Sequence, residues 1–152
     1  MRKGILFDLD GTLLDSLADL HRCTNHVLAL YGCPPRTLAE IRRFVGNGAR
    51  NLIAQSLPGL DSDPDVDQVL ATYHSYYHAN CKGSTCPYPG ILEALSVLKE
   101  KYPIAIVSNK PTMRWWHCAG NFLAMCMPWA SSLTVPGSLS RICSARLWRP
   151  LG

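Results

Sequence analysis

The chain has 152 residues, 47% of them hydrophobic and 17% charged, with a formal net charge of +4. That length suffices for one domain with a real core, and no apolar run reaches the length of a membrane span. The excess positive charge belongs to the end of the chain: residues 1–111 hold 11 basic and 11 acidic residues, while the last 41 carry four arginines and no acid or lysine, so the balanced part offers no basic face for nucleic acid.

Two further bulk features bear on compartment. Met1-Arg2-Lys3 leads into only a short apolar run, without the apolar core and cleavage site of a secretory leader. The seven cysteines are an odd number, which fits free thiols in a reducing compartment better than a disulfide framework. A cytoplasmic protein is the expectation. Cys81 and Cys86 read as two ordinary thiols near a loop, because no second pair with metal spacing follows.

The first predicted element is Ile5-Leu6-Phe7, a short apolar run of the kind that forms a buried parallel strand. It ends in Asp8-Leu9-Asp10-Gly11-Thr12, two carboxylates two residues apart followed by a glycine that permits a turn. Acids at the carboxyl end of a buried strand lie where open α/β sheets form their ligand crevice. An aspartate there is able to attack a phosphoryl group. A cation is needed to offset the repulsion between carboxylate and phosphate, and Mg²⁺ suits one or two carboxylates with water and phosphate oxygens. A second carboxyl group protonates the leaving oxygen and then deprotonates water. The plainer alternative is a loop with two solvated acids.

The string Phe7-Asp8-Leu9-Asp10-Gly11-Thr12-Leu13-Leu14-Asp15-Ser16 closely resembles the first motif of the haloacid dehalogenase-like phosphatases, and most of all their phosphoglycolate phosphatase branch. The resemblance implies Asp8 as nucleophile, Asp10 as general acid and base, and Mg²⁺ held by the Asp8 side chain and the Asp10 carbonyl. It also implies Thr12 among the phosphate-binding positions.

Downstream, Leu17 to Tyr31 carries apolar residues at helical spacing and stops at Gly32 and Pro34-Pro35, with Asp15 or Ser16 as N-cap. Thr37-Leu38-Ala39-Glu40 is a capping box opening a second helix to about Phe44. Gly46-Asn47-Gly48 breaks it, and Ala49 to Leu57 reads as a third helix. Asp63 is the expected cap of a fourth, with Pro64 at its first position, running to about Asn80. Four short helices inserted after the first strand match the helical cap that the family places there. Gly46-Asn47-Gly48-Ala49-Arg50 resembles the family's cap loop facing the active site. Gly48 would offer a backbone N–H and Arg50 a fork for a carboxylate; the alternative is a plain helix-helix turn with a solvated arginine. Phe44, Tyr73, Tyr76 and Tyr77 read as cap core. His74 and His78 lack an evident third metal ligand and read as surface residues.

Residues 81–90 form a polar linker resembling the family's return hinge. Gly90-Ile91 opens a helix closing near Lys101, Tyr102-Pro103 stops it, and Ile104-Ala105-Ile106-Val107 is a second buried-strand pattern forming a parallel unit with the first. It ends in Ser108-Asn109-Lys110, about 100 residues after Asp8. The family implies Ser108 as phosphate binder, with the Asn109 backbone helping to orient the phosphate. Lys110 is a further candidate, although the family's neutralising lysine normally comes later.

From Thr112 the character changes. All four tryptophans lie beyond that point and acids and lysines vanish. The later helices and strands, the Lys-Pro motif and the second acidic motif of the family are absent from 112–152. A shift of reading frame after Pro111 accounts for this: moved by one base, Met113 to Cys118 reads like Ala-Val-Val-Ala-Leu, and Ser138 to Ser144 reads, with chosen codons, as Lys-Pro-Val-Pro-Asp-Met-Phe. The alternative is a divergent tail. An independently determined gene sequence with an unbroken frame through codon 112 would dispose of the frameshift.

The expectation is therefore an α/β fold, a Rossmann-like parallel-sheet core, incomplete here and built from 1–14 and 87–111. A four-helix cap spans 15–86, and 112–152 is an aberrant tail. The core sheet would have an exposed edge and the 91–101 helix an uncovered apolar face. The expected activity is Mg²⁺-dependent hydrolysis of a small phosphorylated metabolite, 2-phosphoglycolate foremost, through an aspartyl phosphate and impaired in this chain. The rivals are a phosphosugar mutase, another sugar-phosphate phosphatase, or a non-catalytic remnant of the fold. Neither nucleic acid nor membrane is an expected partner, and the sequence leaves the oligomeric state open.

Overall fold

The computed structural model describes residues 4–59, 64–81 and 83–108. Along them run β1 (Ile5–Asp8), β2 (Leu14–Asp15), α1 (Leu17–Leu30), α2 (Leu38–Phe44), α3 (Ala49–Ser56), α4 (Val66–Asn80), β3 (Cys86–Pro87), α5 (Ile91–Lys101) and β4 (Ile104–Val107). The chain divides into two compact units, one of Met1–Asp15 with Cys86–Gly152, the other of Ser16–Thr85.

In the first unit β1 and β4 pair in parallel, with Ile5 opposite Ile104, Phe7 opposite Ile106 and Asp8 opposite Val107. The strand period of two puts Ile5, Phe7, Ile104 and Ile106 on one face. That face closes on a core of Leu9, Leu13, Leu14, Leu95, Ile104 and Ile106, with Phe7, Ile91 and Leu98 packed against it. The other face carries Leu6, which is 71% exposed. Parallel sheets are ordinarily covered on both faces; among the described residues only one face of this pair is covered. Val97 on α5 is likewise exposed.

The α5 helix starts at Gly90, carries Glu93 in its first turn and Lys99 and Lys101 in its last, charges that complement the helix dipole. Pro103 follows and has no N–H to extend it. An antiparallel ribbon joins β2, at the end of the first motif, to β3, within the segment expected to be a polar linker, pairing Leu14 with Pro87 and Asp15 with Cys86.

The second unit is helical. In it α1 packs against α4 and α2, and α3 against α4 and α2, around Leu20, Val27, Leu28, Ile41, Leu52, Ile53, Val69, Tyr73 and Tyr77. Tyr73 and Tyr77 are thus buried core, while Tyr76 stacks on His26 with ring centroids 3.8 Å apart. The capping box of α2 is complete: the Thr37 hydroxyl accepts from the Glu40 N–H and the Glu40 carboxylate accepts from the Thr37 N–H. The cap of α4 is Asp65, not Asp63. The Asp65 carboxylate accepts from the Gln68 N–H, so the helix opens two residues later than expected and Pro64 lies before it. Arg36 joins three segments, donating from its side chain to the carbonyls of Ser56 (2.8 Å) and Leu57 (3.0 Å) at the end of α3 and from its N–H to Asn25 Oδ1 on α1.

Cys23 and Cys86 carry free thiols. Cys81 departs from the expected ordinary thiol: it is disulfide-bonded. No helix among the described residues is long and apolar enough to cross a membrane.

Candidate active site at the end of the first strand

The site is built by how β1 stops. Asp8 is the last strand residue and is exposed, Leu9 is fully buried and Asp10 is half-buried. The Leu9 side chain anchors the turn in the core while its carbonyl accepts from the N–H groups of Leu13 (3.0 Å) and Leu14 (2.9 Å). The Gly11 N–H donates to the Leu14 carbonyl at 2.9 Å. Gly11 has φ of 80°, a left-handed conformation that side chains with a Cβ rarely adopt. The chain thus doubles back within five residues, with Leu13 and Leu14 buried beneath and Thr12 exposed at the turn.

Asp8 stands opposite Val107, so Ser108 leaves the neighbouring strand one residue further on. Ser108 is 3% exposed. The register sets Asp8 beside the residue before Ser108, and Asp8, Asp10, Thr12 and Ser108 all belong to the first unit. Asn109 and Lys110 lie outside the described residues.

Gly48 and Arg50 belong to the helical unit. Gly48, with φ of 86°, is the N-cap residue of α3, and Arg50 follows in its first turn. The Arg50 guanidinium donates to Asp67 on α4, Nε to Oδ1 at 2.9 Å and Nη2 to Oδ2 at 3.4 Å. Asp67 raises the Arg50 pKa. Both side chains are well exposed, and ion pairs of this kind contribute little to stability. The arginine fork is therefore occupied by a carboxylate of the protein itself.

The segment from Gly4 to Asp15 contains three aspartates and no basic residue. Like charges repel, so a cation would ease the approach of a phosphate dianion. Among the described residues no group of three or more His, Cys, Asp or Glu side chains is arranged to hold a metal. Two carboxylates with hard oxygen donors, completed by water and phosphate oxygens, fit Mg²⁺, which binds through one or two carboxylates and keeps much of its water. They do not fit a closed structural zinc site.

The profile of the family described as haloacid dehalogenase-like hydrolase matches residues 5–122. The chain belongs to the haloacid dehalogenase-like hydrolases. It is 41% identical over 115 residues to a phosphoglycolate phosphatase of Rhodobacter capsulatus, covering 73% of this chain and 52% of that protein. It is 39% identical over 118 residues to one of Haemophilus influenzae, covering 72% and 53%. A solved haloacid dehalogenase-like hydrolase of Streptococcus pneumoniae superposes with a TM-score of 0.69 at 30% identity, covering 79% of this chain and 55% of that one. A solved structure described as a predicted phosphoglycolate phosphatase of Haemophilus somnus superposes at 0.65 with 29% identity, covering 74% and 53%. The chain spans about half the length of the curated relatives it matches. Residues 123–152 lie outside the family match.

Proposed function

We propose that the protein is a Mg²⁺-dependent phosphatase of a small phosphorylated metabolite, with 2-phosphoglycolate the leading candidate, acting through a phosphorylated Asp8. The observation that carries the reading is the exposed Asp8 at the end of β1, directly across from the residue before Ser108, in a chain whose relatives are named phosphoglycolate phosphatases.

The chemistry divides into two steps. An Asp8 oxygen attacks phosphorus, the bond to the leaving oxygen breaks, and Asp10 gives that oxygen a proton. Water, deprotonated by Asp10, then attacks the same phosphorus and releases inorganic phosphate and free Asp8. Ser108 and the exposed Thr12 turn bind phosphate oxygens, with Asn109 and Lys110 next in sequence as further contacts. Asp8 and the Asp10 carbonyl would hold Mg²⁺, which would supply the charge neutralisation that phosphate approach needs. In the helical unit, Gly48 and Arg50 are the candidates for contacting the rest of the substrate, with Arg50 exchanging Asp67 for it. We take the compartment to be the cytoplasm.

Within these 152 residues nothing after residue 111 supplies a lysine or a further acid, and among the described residues the parallel pair has one uncovered face. Turnover is therefore expected to be slow, and a frameshift after Pro111 is our account of the missing motifs. The second reading, a non-catalytic remnant of the fold, draws on the same uncovered Leu6. Beryllium fluoride with Mg²⁺ separates them, since a working Asp8 binds this phosphoryl mimic and a remnant does not. The matching kinetic test is p-nitrophenyl phosphate hydrolysis: Mg²⁺-dependent turnover abolished by Asp8→Asn supports the assignment, and turnover indifferent to that substitution refutes it.

A further inference from the structure

Asp19, in the first turn of α1, is a fully buried carboxylate that the proposed chemistry does not use. Its Oδ2 accepts from the N–H of Ser84 (2.9 Å), the N–H of Thr85 (2.8 Å) and the hydroxyl of Thr85 (2.7 Å). Its Oδ1 accepts from Arg22 Nη2 at 2.8 Å, and the same arginine nitrogen donates to the carbonyl of Asn80 at the end of α4. Burying a carboxylate is costly unless its lone pairs are used. Here four donors use them, and three come from a segment more than 60 residues away in sequence.

The location gives this network its meaning. The chain leaves the first unit between Asp15 and Ser16 and returns between Thr85 and Cys86. On the first unit's side of that boundary the two segments are joined by backbone pairing, Asp15 against Cys86. On the other side no strand continues, and Asp19 makes the connection instead. The approach is close: a Cβ added at Gly83 would lie 3.0 Å from both Asp19 Oδ1 and Arg22 Nη2.

We propose that Asp19 is a positioning residue that latches the returning segment, residues 83–85, onto the start of α1. The latch is a property of unit 2 and holds whether or not the chain hydrolyses phosphate. Cutting it frees the 83–85 segment while leaving the helices packed.

Hydrogen exchange on the full chain, read by mass spectrometry or NMR, tests this. In the unaltered protein the amides of Ser84 and Thr85 are protected. Asp19→Asn keeps the shape but places an NH₂ group among donors, and should accelerate both amides about tenfold, with the core amides of Val27 and Val69 unchanged. Thr85→Val removes one donor and should give a smaller, equally local acceleration, which Thr85→Ser does not. Should Asp19→Asn fail to fold, the Thr85 pair carries the test. Ser84 and Thr85 amides that exchange like an unstructured peptide in the unaltered chain would overturn the proposal. So would rates that no variant changes, or acceleration matched equally at Val27 and Val69, which marks Asp19 as a general stabiliser of the helical unit.

Discussion

Asp8 and Val107 face each other across the parallel pair, and that register makes Ser108 the first residue beyond the second strand. On the proposed mechanism, a hydroxyl so placed would bind the phosphate that Asp8 attacks. It is also buried, so Ser108→Ala changes little volume. The expected result is a loss on the order of 10²-fold in kcat/KM for p-nitrophenyl phosphate, the scale seen when one donor to a reacting oxyanion is removed. Ser108→Thr, which keeps the hydroxyl, would restore part of the loss. An unaffected kcat/KM in Ser108→Ala would remove this residue from the site.

Leu6 on β1 and Leu13 in the turn that follows have opposite environments. Leu6 is 71% exposed, whereas Leu13, which the turn after the strand brings under the sheet, is fully buried in the core cluster. Leu6→Thr should shift unfolding free energy by no more than about 0.5 kcal/mol and raise solubility by shrinking an exposed apolar surface. Leu13→Ala should cost about 2–5 kcal/mol through lost burial and the cavity left behind. Chemical denaturation of the two variants beside the parent chain checks both figures. A Leu6→Thr loss comparable with that of Leu13→Ala would mean that the Leu6 face is covered in solution.

The same contrast explains what the sequence could convey. Ile5-Leu6-Phe7 and Ile104 to Val107 announced two strands because apolar runs bounded by turn signals have few other solutions, and Gly11 marked the turn that exposes Asp8. Thr37 and Glu40 announced a helix start because both halves of a capping box are local. The ribbon of Leu14–Asp15 with Cys86–Pro87 was invisible, since two residues carry no period and their partners are 70 residues apart. The cap of α4 was misread because Asp63 and Asp65 both flank Pro64, and the choice between them depends on which carboxylate reaches the Gln68 N–H. Arg50 was recognisable as a candidate fork, but its engagement with Asp67 depends on how α3 packs against α4, which no local pattern encodes.

Stability should depend on pH through Asp19. Burial pushes its pKa up, but the Arg22 guanidinium, the Ser84 and Thr85 N–H groups and the Thr85 hydroxyl outweigh that and hold the carboxyl below its usual value. Arg22 and the neighbouring Cys23 are the titratable groups coupled to it; both keep their protons from acid to neutral pH. A depressed folded-state pKa means that the unfolded chain binds more protons. The stabilisation is then complete above the unfolded value, about 4, and is lost as pH falls through the folded one. The difference in unfolding free energy between the parent and Asp19→Asn should be level from about pH 5 to 8 and shrink below about pH 4. A difference that instead grows on acidification would reverse the sign of the linkage.

Cys23 and Cys86 should separate cleanly by reactivity. Cys23 lies fully buried on the inner face of α1, where desolvation pushes its thiol up to about 11. Cys86 is a free, exposed thiol on β3. Alkylation proceeds through the thiolate and needs access, so both factors act against Cys23. Brief treatment with iodoacetamide at about pH 8, followed by peptide mapping, should modify Cys86 nearly completely and Cys23 by a few per cent at most. In urea the two should react alike, because unfolding removes both the burial and the shift. Early labelling of Cys23 under native conditions would show that α1 does not hold its packed position, and with it the helical unit as described.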